Sequence, residues 1–301
     1  MVIVGGGPAG LSAAVAAKKE GAEKVLIIER DEKLGGILQQ CIHPGFGLTY
    51  FHKELTGPEY AGHFKEEALA LGAEVLLNSM VLEVIPEESA VICVNSEYGM
   101  TKVKAGSIVL AMGCRERTRA GIMIPETEEF IPCDTLLLSV GLIPENELSR
   151  GADVKISRIT NGPEVNQYMQ TSWDNVFACG NVVHVNDLVD NVTVESMNAG
   201  ASAARYAMHK LPEANREVPS VTGENVRYLC PQRVKIGEEN ETVRLFFRVL
   251  HPELDVVIRV KSGDKVLSEK KAKSVNPGEM CHVEVKTAEI TGDDVTVEVV
   301  K

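Results

Sequence analysis

Short buried runs alternate with helical spacing along the first part of the chain. Val2-Ile3-Val4 predicts a strand that breaks off at Gly5-Gly6-Gly7. The helix after it carries a small-residue face, Ala9, Ala13, Ala16 and Ala17, suited to close packing on a sheet, and Gly21 ends it. Val25-Leu26-Ile27-Ile28 reads as a second buried strand. Thr56 and Glu59 form a capping box with Pro58 in the first turn. They predict a helix that sets Tyr60, Phe64, Ala68 and Leu71 on one face and stops at Gly72. Residues 74–77 then read as an edge strand of the main sheet, and 81–85, 91–94 and 100–103 as an antiparallel crossover ribbon.

Buried strands are predicted again at residues 107–113 and 133–141, and a strand-to-glycine corner at 175–181. A long helix is expected near 192–209, with Ala199, Ala203 and Ala207 on its packing side. Residues 213–225 read as a linker. From Val226 onward the pattern becomes that of a small all-β domain of sandwich type, with strands at 243–249, 254–260, 265–269, 280–285 and 295–299. That domain shows no chemical constellation in sequence. The fold class expected is α/β, a Rossmann-like three-layer domain with an antiparallel ribbon, followed by the β domain.

Gly5-x-Gly7-x-x-Gly10 is the phosphate-binding fingerprint of a dinucleotide fold, and it occurs once. Gly5 allows the tight turn, Gly7 lets backbone approach a pyrophosphate, and Gly10 lets helix and strand pack closely. Pro8 and Ala9 open the helix whose amides and positive dipole end face the phosphates. Glu29 stands where a carboxylate accepts from a ribose 2′-hydroxyl, with Arg30 beside it, and its charge disfavours a 2′-phosphate cofactor.

The 301 residues carry a formal charge of −12, which argues against nucleic acid or an anionic membrane as partner. No apolar run approaches a membrane span and no basic region precedes an apolar one, so a cytoplasmic protein is expected. The seven cysteines form no Cys-x-x-Cys pair, so no sequence-local redox disulfide or zinc ribbon is expected, and no metal. Cys41, beside Gln40 and His43 in a glycine-rich loop, is the one cysteine to watch; burial as a small hydrophobe is the ordinary reading of the rest.

Four stations together resemble the flavin-dependent pyridine nucleotide-disulfide oxidoreductase superfamily. They are Gly5-x-Gly7-x-x-Gly10 with Glu29, Gly35-Gly36, Ala111-Met112-Gly113, and residues 176–181 with the helix beyond. Residues 35–47, 114–117 and 139–146 are similar to a bacterial subgroup that includes the larger subunits of sarcosine oxidase and hydrogen cyanide synthase. This subgroup lacks the Cys-x-x-x-x-Cys pair of glutathione reductase, as this chain does. The resemblance implies FAD as cofactor. Its ADP half is expected at the first station, and Gly180 and Asn181 near the ribityl chain and pyrophosphate. The helix start, around Val194 and Glu195, is expected near the flavin carbonyl edge. Asn181 replaces the usual Asp and can still hydrogen-bond a ribityl hydroxyl. The first strand begins at once at Met1, which is expected to shorten the sheet edge.

The family carries a second, nicotinamide-binding Rossmann domain between the halves of its FAD domain. Here the halves nearly meet and no second fingerprint exists. The expected organisation is therefore an FAD-domain first half at 1–120, a short junction at 121–127, a second half at 128–212, a linker at 213–225 and the β domain at 226–301. The function this implies is that of an FAD-binding oxidoreductase core. Its parent activity is NAD(P)H–flavin electron transfer or amine-type oxidation, and independent use of NAD(P)H is not expected. The alternative is a non-catalytic flavin-binding or electron-transfer subunit that docks a partner oxidase or dehydrogenase subunit, or a homo-oligomer. A plain NAD dehydrogenase ranks last. The small-molecule substrate and the catalytic residues are unassigned. His43, Glu195 and His184 are read as structural or cofactor-positioning, and Asp187 and Asp190 as caps or first-turn charges.

Overall fold

The computed structural model describes residues 1–117, 125–137 and 141–301. Along the first part of the chain, β1 (Val2–Val4) leads into α1 (Pro8–Glu20) and β2 (Leu26–Ile28). The short strands β3 (Pro44–Phe46) and β4 (Leu55–Thr56) precede α2 (Gly57–Ala70) and β5 (Glu74–Leu76). The ribbon is β6 (Ser79–Ile85), β7 (Ala90–Asn95) and β8 (Gly99–Lys104), and β9 (Ile108–Leu110) returns to the main sheet. Next come β10 (Cys114–Glu116), β11 (Leu142–Pro144), α3 (Glu147–Gly151), β12 (Val176–Ala178) and α4 (Val189–Ala207).

The main sheet is parallel, in the order β12-β9-β1-β2-β5. Its central strands are continuous apolar runs because both faces are covered. Helix α1 packs against both α4 and α2. The ribbon sends Val81, Val84, Val91 and Cys93 into the same core, giving helix, sheet and ribbon layers. At the contact of α1 with α4, a Cβ on Gly200 would lie 2.0 Å from the Ala13 carbonyl oxygen, so glycine sets the helix separation.

The β domain begins earlier than expected. Residues 213–225, read as a linker, contain β13 (Arg216–Thr222), which is followed by β14 (Val226–Cys230) and β15 (Arg233–Ile236). The sequence misleads here because Pro219 is a strand breaker. In the fold, residues 216–219 pair with β15 and residues 220–222 with β20 (Val295–Val300), so the proline falls at the hand-over between partners. The remaining strands are β16 (Thr242–Val249), β17 (Glu253–Ser262), β18 (Lys265–Val275) and β19 (Cys281–Lys286). Sheets β15-β13-β20-β17-β18 and β14-β16-β19 enclose a valine-rich core around Phe247, Leu245 and Ile258.

Three further expectations are corrected. Residues 133–137 form no strand and are exposed, with Leu137 at 89 %. The run of leucines suggested burial, but no sheet position receives it. The rest of that expected strand, 138–140, and most of the expected junction, 121–124, lie outside the described residues. Leu71 is the C-cap of α2 and is exposed, because the helix ends before its face is complete. Helix α4 starts at Val189, before the expected 192.

The capping box of α2 forms as read. The Glu59 amide donates to Thr56 Oγ1 at 3.4 Å, and the Thr56 amide donates to Glu59 Oε2 at 2.8 Å. Thr56→Ala is expected to destabilise the protein by about 1 kcal/mol, read from denaturant melts. An unchanged midpoint would show that α2 is held by Tyr60 and Phe64 alone.

Candidate functional site

The four glycine stations converge on the first turn of α1. Gly5 turns with φ +104°, and a Cβ there would lie 2.5 Å from the Ala111 carbonyl oxygen. Gly10 is tighter still, since its Cβ would fall 1.9 Å from the Gly5 carbonyl oxygen. Gly35 donates its amide to the Gly6 carbonyl at 2.8 Å, and a Cβ on Gly36 would sit 3.1 Å from Gly7 Cα. Gly180, at φ +73°, approaches Ala9 so closely that a Cβ would lie 2.7 Å from the alanine methyl. Gly113 turns the chain away from β9 with φ +76°.

Gly7 differs from its neighbours in the motif. A Cβ added there meets nothing within 4 Å, and its φ of −73° suits any residue. The protein itself therefore does not require glycine at this position. Helix α1 also lacks a side-chain cap and any first-turn acid, unlike α2. Its first-turn amides and dipole end are left for an anion from outside. An open cradle over uncapped amides fits the pyrophosphate of a dinucleotide.

Glu29 borders this turn and is buried. Its Oε2 accepts from the Gly6 amide at 2.6 Å and its Oε1 from the Asp31 amide at 2.9 Å. Both oxygens keep further lone pairs for hydroxyl donors. Arg30 is exposed beside it. Asn181 follows the Gly180 corner; its Oδ1 accepts from the Asn186 amide at 2.9 Å and its Nδ2 donates to Cys114 Sγ at 3.5 Å.

Glu195 occupies a different place from the one expected. With α4 starting at Val189, it lies in the second turn and is buried. Its Oε1 accepts from the Gly180 amide at 2.6 Å, and its Oε2 lies 2.7 Å from His184 Nε2. It therefore shapes the glycine corner through the backbone. The first-turn acid is Asp190, whose Oδ2 accepts from the Thr49 amide at 2.8 Å while its Oδ1 is buried without a hydrogen-bond partner. Neither Asp190 nor Asp187 caps the helix: Leu188 is the N-cap, and Asp187 accepts from the Met280 amide in the β domain.

His184 joins the two cores. It is buried, its Nδ1 lies 3.4 Å from the Tyr228 hydroxyl, and Cys230 comes alongside it from β14. Burial opposes a charge on the imidazole, but Cys230 and Glu195 outweigh it and hold the histidine well above its ordinary range. Burial pushes the Cys230 thiol up, and His184 only partly reverses this. Sequence spacing gave no sign of this cluster, because Cys230 stands in a domain with no other reactive group nearby in the chain.

His43 and Cys41 stay apart from these groups. His43 is exposed and rests on Phe46 and the Pro44 carbonyl. The Cys41 thiol donates to the Ile37 carbonyl at 3.4 Å. Among the described residues, no helix is long and apolar enough to cross a membrane.

The pyridine nucleotide-disulphide oxidoreductase family profile matches residues 1–122 and 118–204. Hydrogen cyanide synthase subunit HcnB of Pseudomonas protegens is 33 % identical over 125 residues, which span 39 % of this chain and 25 % of that subunit. The thioredoxin reductase of T. acidophilum superposes with a TM-score of 0.56 at 16 % identity, covering 69 % of this chain and 98 % of the other. A NAD-dependent persulfide reductase from A. fulgidus superposes with a TM-score of 0.53 at 14 % identity, covering 86 % and 67 %. At such identities these structures establish likeness of fold.

Proposed function

Because the chain belongs to the pyridine nucleotide-disulphide oxidoreductase family, a family of flavin-dependent oxidoreductases, we propose that it is an FAD-holding oxidoreductase core that does not take hydride from NAD(P)H by itself. The observation that carries this reading is the uncapped first turn of α1, ringed by Gly5, Gly36 and Gly180 and open only at Gly7. The α1 amides and Gly7 hold the pyrophosphate. Glu29 accepts from the adenosine ribose, and the Gly35-Gly36 turn closes over the phosphate loop. Ala111 and Gly113 wall the cradle where β9 ends, and Asn181 faces the ribityl chain. When bound, FAD supplies reversible two-electron acceptance.

The connection between β10 and β11 supports the second half of the proposal. These strands pair antiparallel, Cys114 with Pro144, so the chain leaves and returns at one point. Only residues 117–141 join them, fewer than the roughly 50 a domain needs. A separate nicotinamide-binding domain does not fit in that connection.

Electron exchange then requires a partner or a substrate reaching the flavin directly. The likeness to a protein described as a synthase subunit favours a partner subunit, and the reading of a non-catalytic electron-transfer subunit rests on the same observation. Amine-type oxidation remains the parent activity proposed for an assembly with such a partner.

Anaerobic addition of NADH to the FAD-loaded chain tests the proposal through the visible absorbance of the flavin. Persistent colour over minutes, with bleaching by dithionite, is the expected result. Rapid bleaching by NADH would place a working nicotinamide site in this chain and overturn the reading.

A further inference from the structure

We propose that His184, Glu195 and Cys230 form a binding site for a divalent transition-metal ion of the zinc type, at the junction of the dinucleotide fold and the β domain. Their ligand atoms all lie within 4.8 Å of one another and all three residues are buried. The set is one imidazole, one carboxylate and one thiol. Such mixed nitrogen, oxygen and sulfur donors suit zinc or cobalt and disfavour magnesium or calcium, which take oxygen.

The atoms behind the ligands are arranged as metal sites require. A ligating histidine usually fixes its ring through its second nitrogen, and His184 Nδ1 faces the Tyr228 hydroxyl at 3.4 Å. That leaves Nε2 toward Glu195 and the ion. Glu195 Oε1 is held by the Gly180 amide at 2.6 Å, which leaves Oε2 for the metal. The carboxylate oxygen and Nε2 now stand 2.7 Å apart, and a small separation of the two would admit an ion between them.

Charge favours the same assignment. Binding of a dication would release the protons of the imidazole and the thiol, and the thiolate and carboxylate would then balance its two charges, so the buried site gains no net charge on taking up the ion. An unbalanced charge at this depth would be costly. Glu195 and Cys230 also line a cleft of about 360 Å³ whose other walls include Val194, Asn198, Arg244 and Phe246. The ion thus has a route in and a side open to a fourth ligand, the arrangement of three-ligand zinc centres. His184 and Glu195 come from the dinucleotide fold and Cys230 from β14, so the ion would tie the two units together. This inference is independent of the flavin proposal.

The test is a titration of the chelator-treated full chain with Co²⁺ alone, followed by absorbance. One equivalent is expected to bind with a thiolate-to-cobalt charge-transfer band, and Zn²⁺ is expected to displace it. Cys230→Ser is expected to abolish the band while Cys93→Ser keeps it. Tyr228→Phe is expected to weaken metal affinity about 10- to 100-fold, as loss of a ligand-orienting hydrogen bond does elsewhere. If Cys230→Ser fails to fold, X-ray absorption of the cobalt-loaded wild type decides: one sulfur in the inner shell supports the site. No band in the wild type, a band surviving in folded Cys230→Ser, or a shell without sulfur or with more than one overturns it.

Discussion

Gly10→Ala is expected to destabilise the protein by about 3 kcal/mol or more, whereas Gly7→Ala leaves the thermal midpoint in place and loses the flavin. Both glycines belong to one motif, in which Gly10 is read as the packing position and Gly7 as the place where a pyrophosphate approaches the backbone. The Gly10 Cβ would fall 1.9 Å from the Gly5 carbonyl oxygen, with Ile3 Cγ2 at 3.3 Å behind it. The obstacle is backbone at the end of the central strand, so no rotamer change relieves it, and overpacking without relief sits at the upper end of its usual cost. The Gly7 Cβ meets no protein atom within 4 Å, and its backbone angles suit alanine. What it meets is the space a pyrophosphate would fill. Thermal melts of the apoprotein and flavin retention through gel filtration measure the two effects. If Gly7→Ala keeps wild-type FAD occupancy, the open space at Gly7 is not the phosphate site.

Glu195→Ala is expected to cost about 3–5 kcal/mol, because it leaves a buried imidazolium and a buried amide without their acceptor. His184 is 1 % exposed and Glu195 4 %, so the pair lies almost wholly out of bulk solvent. The Gly180 amide loses its 2.6 Å partner in the same step. That couples the change to the glycine corner, so weaker flavin retention is expected alongside the loss of stability. Glu195→Gln keeps an acceptor for Gly180 and is expected to lie between wild type and alanine. The double variant Glu195→Leu with His184→Phe removes both charges and is expected to recover part of the loss. Urea melts of the four proteins check this. A cost under about 1 kcal/mol for Glu195→Ala would mean that the pair contributes little and that His184 is neutral in the fold.

These two experiments probe groups that differ in how they could be found. The glycine stations are local patterns: each is a strand end followed by a turn that only a small residue satisfies, and such patterns survive in one dimension. The α2 capping box was legible for the same reason, since Thr56 and Glu59 meet within one turn. The partners of Glu195 were not. Its position was expected at the start of a helix near 192, but α4 begins at Val189, and three residues turn a helical side chain to another face. Asp187 and Asp190 read as caps or first-turn charges, and Asp190 is the first-turn acid of α4, but the amides the two carboxylates accept from, Met280 and Thr49, are remote in the chain.

The doubly covered parallel sheet, the glycine turn after β1 and the three-stranded ribbon were legible along the chain. Continuous apolar runs, glycine at fixed intervals and alternation of period two are each imposed by contacts within a few residues. Tertiary structure alone decided that residues 216–222 are a strand despite Pro219, because pairing changes partner at that residue. It alone left 133–137 outside any sheet, since apolar character does not supply a neighbour to pair with. It alone brought Cys230 to His184 and Glu195, because that contact exists only where the β domain packs on the dinucleotide fold. Short-range sterics and periodicity are written along the chain; meetings between distant segments depend on how whole layers pack.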